Sequence, residues 1–410
     1  MSSPCLERIA SWMPVAIFTA LPIAGLVEGP AYAGLIFGLG VIQFICVVAA
    51  RRTLPPADRV LMGLAIAFAS LGWATLIWSI VPERSWRGAL QITGIFAASM
   101  IVLGNPLPSS RMVDTVFRFM QIAFVLGAAV ICADTLTGYH LQSLLAATPT
   151  KYNRGVDYLV LIAWPLLAWL SSRRDWPGIF LVTMATGLTL ILGLSATACV
   201  AALVGAVVLG CSLLSRRIVS ICLATATAMT AIFTPSLLHV LAENRAIVAS
   251  HLLFNPHLRQ SGLHRLEIWH YMTARVFERP VLGWGLWSSK SLPIRPAELS
   301  QYLYANAQGI YPHNQWLQLW LETGAIGAAL AAVLALVILG RTRSALAPNV
   351  QPFGYAAFAS ALTISLANFE ITTDSWWAAL VASAYLFRAL GSPANRAESF
   401  GRASAARHKV

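Results

Sequence analysis

Long apolar runs follow one another along this 410-residue chain, and they constrain its fold more than any other feature. A bilayer core about 30 Å thick needs roughly 20 apolar residues to be crossed as a helix. Because 58% of the residues are hydrophobic and only 11% are charged, the chain exceeds the apolar content of soluble domains. About twelve runs reach or approach the spanning length, near residues 12–28, 31–49, 60–81, 88–103, 113–134, 156–171, 178–195, 197–214, 218–234, 314–340, 353–369 and 374–391. We therefore predict an all-α polytopic membrane protein with about twelve transmembrane helices.

Two of these runs are almost continuous and form the segment 178–214. A helix rises 1.5 Å per residue, so a segment of this length would cross the bilayer about twice. We therefore expect two helices here, separated by a break near Gly193–Thr197.

Basic residues indicate the topology, because membrane proteins gather Lys and Arg in their cytoplasmic loops. With both termini in the cytoplasm, the short external loops hold only Arg84, Arg87, Lys151 and Arg154. The cytoplasmic segments hold Arg8, Arg51, Arg52, Arg59, Arg111, Arg118, Arg173, Arg174, Arg216, Arg217, Arg341, Arg343 and the basic tail. This asymmetry predicts a multi-pass membrane protein with both termini cytoplasmic. It also accounts for the net charge of +12 without a nucleic-acid partner.

The chain then divides into four parts. Helices 1–9 occupy residues 1–234, a large external loop 235–313, helices 10–12 residues 314–391, and a basic cytoplasmic tail 392–410. The loop holds six of the eight histidines, and seven Lys and Arg residues against four acids. Loops of this length in a compact protein are usually functional, and arginine pairs well with phosphate oxygens. A cationic external loop beside the bilayer therefore favours a phosphate-bearing substrate.

Residues 263–278 of the loop predict an amphipathic helix. Leu266, Trp269 and Met272 recur at helical spacing, with charged side chains between them. The segment Arg279–Gly285, RPVLGWG, then breaks the helix with proline and forms a turn with glycines. Two interpretations remain open at this point: a helix on the membrane surface with Arg265 as a solvated charge, or a helix that forms part of an active site.

The stretch Tyr311–Gly327, YPHNQWLQLWLETGAIG, joins the hydrophilic loop to a long apolar run. It places His313 and Asn314 where a water-facing loop enters a membrane helix. An imidazole at that place can exchange a proton near neutral pH, or it can simply anchor the end of a helix. Gly324 and Gly327 are expected to allow the close approach of a neighbouring helix.

Four of these segments resemble one known group of proteins. SGLHRLEIWHYM at 261–272, ERPVLGWG at 278–285 and the stretch 311–327 resemble the loop signature of the O-antigen ligase and polymerase superfamily. Its members are bacterial membrane glycosyltransferases that use undecaprenyl-diphosphate-linked glycans. KYNRG at 151–155 looks like the Asn-Arg element that this superfamily carries in an earlier external loop. The resemblance also implies a location in the bacterial inner (cytoplasmic) membrane and twelve helices, with one large and partly helical periplasmic loop between helices 9 and 10.

The resemblance implies an inverting, metal-independent glycosyl transfer on the periplasmic face, without a cofactor. The donor would be an undecaprenyl-diphosphate-linked glycan, and the acceptor a sugar hydroxyl of lipid A-core or of another glycan. Arg265 matches the arginine that binds the diphosphate, and His313 matches the histidine proposed to activate the acceptor hydroxyl. The further residues expected to bind substrate are Arg154, Lys151, Asn314, His264 and Trp269.

One position departs from the pattern of the ligases. Many of them look like Thr-x-Ser-Arg-x-Ala between the seventh and eighth helices, whereas this chain has Gly193-Leu-Ser-Ala-Thr-Ala198. One expected phosphate ligand is therefore missing. Either Arg154 or Lys151 supplies the charge instead, or the chain has diverged from the ligase reaction.

The residues themselves favour arginine over a metal ion. A diphosphate leaving group needs its developing charge neutralised, either by a divalent metal or by fixed cations. Glu370 and Asp374 lie four residues apart in a short loop, Asp157 stands alone beside Arg154, and the loop histidines form no compact pair. We therefore predict that arginines stabilise the leaving group and that a neutral His313 acts as the base.

Three functions are consistent with the sequence. A ligase and a polymerase that extends the lipid-linked glycan differ only in the acceptor, which no residue identifies. A transporter of the same glycan would favour internal repeats, broken helices and charges near the bilayer midplane. Here the polar groups gather at the external rim instead. The ligase is our leading hypothesis and the polymerase the second.

Overall fold

The computed structural model describes residues 3–27, 29–55, 57–144, 151–193, 195–245, 247–248, 256–293 and 311–391. Within these ranges the secondary structure is helical, and no strand is present. We number the longer helices as follows: Ser3–Val27 (α1), Gly29–Arg51 (α2, with a π-helical turn), Arg59–Ala74 (α3), Pro82–Gly104 (α4), Ser110–Leu136 (α5), Lys151–Arg173 (α6), Trp176–Leu192 (α7), Ala196–Leu214 (α8), Arg216–Glu243 (α9), Pro256–Glu278 (α10), Gln315–Ala345 (α11), Gln351–Ser365 (α12) and Asp374–Leu390 (α13).

The helices agree with the hydropathy of the sequence. Each of the twelve predicted runs coincides with one helix, and the amphipathic run 263–278 lies within α10. Among the described residues, nine helices are long and apolar enough to cross a membrane, namely α1–α6, α8, α9 and α11. The all-α polytopic class is therefore confirmed. The count of twelve spans stays a prediction, because α7, α12 and α13 have only 17, 15 and 17 residues. The predicted tail 392–410 lies outside the described residues.

The break between α7 and α8 falls at the predicted place. α7 ends at Leu192 and α8 begins at Ala196. The hydroxyl of Ser195 accepts a hydrogen bond from the Ala198 N–H (3.1 Å), which satisfies a donor that the first helical turn leaves unpaired. The next boundary differs from expectation, since α9 passes through Pro235 and continues to Glu243 before the loop begins.

α6 is the central helix of the bundle. Of its membrane-spanning window, 83% is buried inside the protein, compared with 17% for α3. It packs against α1, α7, α12 and α13. Packing on several sides therefore holds the backbone of α6 along most of its length.

α11 is broken at Gly324, whose φ of 64° and ψ of −161° are not helical. The segment 279–289, which follows α10, docks into this break, and we call the docked segment together with the break the junction. In the junction, the Trp284 N–H donates a hydrogen bond to the carbonyl oxygen of Leu321 (2.8 Å). A loop residue thus uses an acceptor that the broken helix does not use, and this bond ties α10 to α11.

Glu322 is the buried polar centre of the junction. Its carboxylate accepts hydrogen bonds from the backbone N–H of Trp287 (2.9 Å) and from the amide of Gln318 (3.1 Å). Its backbone carbonyl accepts a third, from the Gly285 N–H (3.0 Å). The side chain is fully buried, so these bonds replace the hydration that the carboxylate loses.

The prediction for the two glycines of α11 is wrong. A Cβ at Gly324 would collide with the carbonyl oxygen of Val281, which belongs to the docked segment and not to a neighbouring helix. A Cβ at Gly327 would collide with Thr323 of its own helix. The positive φ of Gly324 and the close loop backbone both require glycine at that position.

Candidate functional site

Three of the predicted site residues come together at one end of the helix bundle. Arg154 lies in the first turn of α6, Arg265 lies in α10, and His313 directly precedes α11. The charges of Arg265 and Arg154 both act on the His313 imidazole, so the three side chains share one neighbourhood. With Tyr311, described below, we call these residues the cationic corner.

The backbone on both sides of His313 is fixed by hydrogen bonds. The indole N–H of Trp269 in α10 donates to the carbonyl of Pro312 (2.8 Å). On the other side, the side-chain oxygen of Asn314 caps α11 by accepting from the Leu317 N–H (2.9 Å). His313 itself has a φ of 51°, a left-handed conformation that few residues other than glycine adopt. The fold thus holds this histidine in an uncommon conformation between two anchors.

The His313 side chain is an available base. Its Nδ1 is buried and has no hydrogen-bond partner in the described part of the chain. Burial lowers the pKa of His313 to about 4, and the positive charges of Arg265, His264 and Arg154 contribute in the same direction. At neutral pH the imidazole is therefore uncharged, and it has a lone pair that can accept a proton.

No carboxylate in the described part of the chain neutralises the two arginines of the corner by an ion pair. Some arginines elsewhere do form ion pairs with carboxylates, for example Arg173 with Asp114, Arg275 with Glu278 and Arg341 with Asp58. Within the described residues, neither Arg154 nor Arg265 forms such a pair. Burial lowers the pKa of Arg265, which is half-buried, yet a guanidinium remains charged in proteins. Guanidinium groups that stay charged and are not neutralised by a carboxylate favour an anionic ligand.

Arg154 is exposed and lies over an aromatic surface. Its guanidinium carbon is 6.0 Å from the centroid of the Phe369 ring. Phe369 is stacked between Tyr158 and Trp376, with centroid distances of 5.7 and 4.8 Å. The electron-rich face of an aromatic ring attracts a guanidinium that lies over it. The N–H groups at the edge of the guanidinium can then donate to a ligand.

Tyr311 joins the corner although we did not predict a role for it. The centroid of its ring is 4.1 Å from that of His313, and the side chain of Arg154 lies beside its hydroxyl. Burial raises the pKa of Tyr311 more than the arginines lower it, so the hydroxyl keeps its proton and can donate a hydrogen bond. Only its place in the motif, two residues before His313, could have indicated it.

The remaining predicted binding residues differ in how the structure uses them. Trp269 and Asn314 form the hydrogen bonds that hold the His313 segment, so contact of either with a substrate stays a prediction. His264 is half-buried in α10, and its charge acts on His313. Lys151 begins α6, but its side chain is not among those described.

Taken together, the corner can bind an anion and accept a proton. Two guanidinium groups and a tyrosine hydroxyl can donate to phosphate oxygens, and a neutral imidazole stands among them. Across the described residues, no group of three His, Cys, Asp or Glu side chains is arranged to hold a metal ion.

Comparison with known proteins gives a family for this region. Residues 179–332 match the family described as O-antigen ligase. The match extends from α7 into α11 and includes Arg265 and His313, while Arg154 lies before it. The predicted resemblance to the O-antigen ligase superfamily is thereby confirmed.

Several curated relatives from Rickettsia are similar over a shorter stretch, and each is provisionally named a polysaccharide ligase. The protein of Rickettsia conorii is 33% identical over 122 residues, which is 28% of this chain and 29% of the relative. The protein of Rickettsia felis is 30% identical over 122 residues, 28% of this chain and 29% of the relative. That of Rickettsia typhi is 30% identical over 121 residues, 29% of this chain and 30% of the relative. The chain thus spans less than a third of the length of these relatives.

Proposed function

We propose that this chain, whose residues 179–332 are of the O-antigen ligase family, is an inverting glycosyltransferase of the O-antigen ligase type. It would move a glycan from undecaprenyl diphosphate to a sugar hydroxyl of lipid A-core at the periplasmic face of the inner membrane. The observation that carries the proposal is the cationic corner, where two arginines that pair with no carboxylate of the described chain lie beside an uncharged histidine. The name of the Rickettsia relatives, polysaccharide ligase, is consistent with it.

The donor half of the reaction uses the arginines. Arg265 and Arg154 would each donate to oxygens of the diphosphate, and Tyr311 would add a neutral donor. As the bond between the sugar C1 and the phosphate oxygen breaks, negative charge grows on that oxygen. Donors that are already in place stabilise this charge without reorganisation, which is usually the largest contribution to catalysis. Undecaprenyl diphosphate is the leaving group.

The acceptor half uses His313. The acceptor hydroxyl attacks C1 from the face opposite the phosphate and forms the new C–O bond, which inverts the configuration. Its proton passes to Nδ1 of His313. A base with a pKa of about 4 is weak, but a bound diphosphate offsets the charges of Arg265 and Arg154. Donor binding should therefore raise the pKa of His313 and strengthen the base when it is needed.

The membrane supplies the geometry of this reaction. Both lipid-linked substrates are confined to the bilayer, so their reacting groups reach the protein at the interface. The corner lies where α10 meets the beginning of α11 and beside the first turn of α6, so it is at the ends of two long helices. Positive charge at helix ends supports an enzyme acting on lipid headgroups. A transporter would need polar groups along the path through the bundle.

Complementation tests the proposal and separates it from the polymerase. The gene is expressed in one strain that lacks its ligase and in another that lacks its polymerase, and lipopolysaccharide is separated on a gel. We expect the first strain to regain core bands capped with glycan, and the second strain to stay unchanged. Restored chain extension in the second strain alone would identify a polymerase. An Arg265→Ala variant present at equal membrane levels serves as the control and should not complement.

A further inference from the structure

Asp157 is a buried carboxylate close to the corner for which the proposed reaction has no use. It lies on α6, one helical turn after Arg154, and it is fully buried. One carboxylate oxygen accepts a hydrogen bond from the Ser195 hydroxyl (3.0 Å), and the other accepts one from the side-chain amide of Asn368. Ser195 is the cap of α8, so the carboxylate joins three separate elements of the bundle.

The two hydrogen-bond partners indicate the charged form of Asp157. The Ser195 oxygen already accepts from the Ala198 N–H, so its own proton is directed at the carboxylate. The Asn368 amide also donates. A carboxylate that accepts on both oxygens needs no proton of its own. Burial favours the neutral form, and these bonds, together with the charges of Arg154 and Arg265, act against it and favour the carboxylate.

The charge of Asp157 reaches both arginines of the corner. It acts on Arg265, and in return Arg154 and Arg265 act on Asp157. Within the described residues it forms an ion pair with neither, so it does not occupy the N–H groups that a phosphate would use. Asp157 is therefore a buried negative charge one helical turn further along α6 than Arg154, within electrostatic reach of both arginines and in ion-pair contact with neither among the described residues.

We propose that Asp157 is a positioning residue that acts through Arg154 and Arg265. It lowers their affinity for diphosphate, so that undecaprenyl diphosphate dissociates after transfer. The inference rests on the proposed function. Undecaprenyl diphosphate carries the same diphosphate after the reaction as the donor carried before it. A site that binds this group very tightly would bind substrate and product equally well. The tighter binding would then not raise kcat, because the product would dissociate slowly. A buried carboxylate that acts on both arginines without pairing with them lowers that affinity and leaves their N–H groups open to the phosphate.

Affinity for the product tests the proposal on the purified full-length protein in lipid nanodiscs. The probe is undecaprenyl diphosphate, and its Kd is measured together with kcat and donor KM. Asp157→Asn keeps the size of the side chain and removes the charge, and the Asn368 amide can turn to present its oxygen. We expect the Kd of undecaprenyl diphosphate to fall about tenfold, the order expected for one unit charge near a partly screened site. Donor KM should fall with it, and kcat should fall because release becomes slow.

Three further variants keep the test decisive. Asp157→Ser is a second neutral variant, for the case that Asp157→Asn does not fold, and it should tighten binding in the same way. Asp157→Glu retains the charge and should return the Kd toward the wild-type value. Ser195→Ala removes one hydrogen bond and leaves the charge, so it should not tighten binding. A purely structural role for Asp157 would instead weaken binding in every variant.

The outcomes also separate this inference from the proposed function. An unchanged or increased Kd in both neutral variants, while Arg265→Ala abolishes binding, overturns the role of Asp157 and leaves the proposed function intact. Wild-type protein that does not bind undecaprenyl diphosphate, or binding that survives Arg265→Ala, overturns the proposed function and the inference together.

Discussion

The junction and the cationic corner are both polar regions, and they differ in whether their polar groups have partners within the protein. In the junction, the carboxylate of Glu322 and the backbone of the docked segment have hydrogen-bond partners within the protein. In the cationic corner, Nδ1 of His313 has none among the described residues, and Arg265 and Arg154 have no ion pair. The hydrogen bonds of the fold account for the Glu322 carboxylate in the first region. We infer that a ligand pairs with the groups of the second region, because buried polar groups normally have partners.

The largest effect that would sharpen this contrast is the loss of the base. In His313→Gln the amide can fill the site but cannot accept a proton near pH 7. Loss of a general base typically lowers the rate by about 10²–10⁴-fold. We expect the purified variant to fold, to bind the lipid-linked donor and to transfer glycan at such a reduced kcat. A transfer rate within about threefold of wild type, far short of that range, would make His313 only an anchor for α11.

Arg265→Lys should have the next largest effect. Lysine keeps the positive charge but loses the planar fork that grips two phosphate oxygens. Removal of one preorganised donor from a charge-stabilising site costs about 10²–10³-fold in rate, so the Lys variant should approach Arg265→Ala. Arg279→Lys is the matched control, since Arg279 is exposed and only stacks on Trp284 at 4.1 Å. Equal activity of the two Lys variants would return Arg265 to the status of a surface charge.

The contrast between the two regions also shows how far the sequence could predict them. Hydropathy predicted the helices and the break between α7 and α8, because each depends on residues adjacent in the chain. Motif residues predicted Arg265, His313 and Arg154, and the structure brings these together. The role of Gly324 was missed because it depends on a loop about 40 residues earlier that docks into the break. Asp157 gave no signal either, since its partner Asn368 is 211 residues away.

Arg154→Ala measures whether this residue compensates for the arginine missing beside Ser195. Arg154 is exposed, so its contribution is smaller than that of Arg265, and we expect about a tenfold loss of kcat/KM. Arg87→Ala, at an exposed position in α4, is the control and should lie within about twofold of wild type.

A second-site change makes the same comparison sharper. Ala196 is exposed at the start of α8, next to Ser195, at the position where many ligases carry arginine. Ala196→Arg should therefore recover part of the activity that Arg154→Ala loses, measured as kcat/KM for the donor. If the double variant is no better than Arg154→Ala, position 196 does not reach the diphosphate.

The pH profile of the unliganded enzyme tests the environment of His313 with a smaller effect. Only the neutral imidazole acts as a base, and its fraction falls as the pH drops through the pKa. With the pKa lowered to about 4, His313 is still almost entirely neutral at pH 5.5. An ordinary histidine would be only about one-tenth neutral there. We therefore expect kcat/KM, which reports the free enzyme, to change less than about twofold between pH 7.5 and 5.5. A tenfold fall that disappears in His313→Gln would contradict the burial of this side chain.

Substitution of Glu322 in the junction should have the smallest effect on catalysis. It should lower the free energy of unfolding instead. Glu322→Gln keeps the shape of the side chain but replaces one of its two acceptor oxygens with an NH₂ group. Both oxygens now accept hydrogen bonds, from the Gln318 amide and from the Trp287 N–H, so the new NH₂ faces another donor. Gln318 cannot turn to offer its oxygen, because that oxygen already accepts from the Ile371 N–H (3.0 Å). One buried donor is then left without a partner, which costs about 1–3 kcal/mol. The apparent unfolding temperature should fall by about 1–4 °C, while kcat per folded molecule stays within about threefold of wild type.

Thr323→Ala is the matched control for this change, because the Thr323 hydroxyl only donates to the Leu319 carbonyl of its own helix (2.7 Å). It should alter neither the unfolding temperature nor the rate appreciably. A fall in kcat for Glu322→Gln as deep as that for His313→Gln, without a change in stability, would break the contrast. The junction would then belong to the catalytic apparatus, because a carboxylate that only holds a loop acts on turnover through the amount of folded protein.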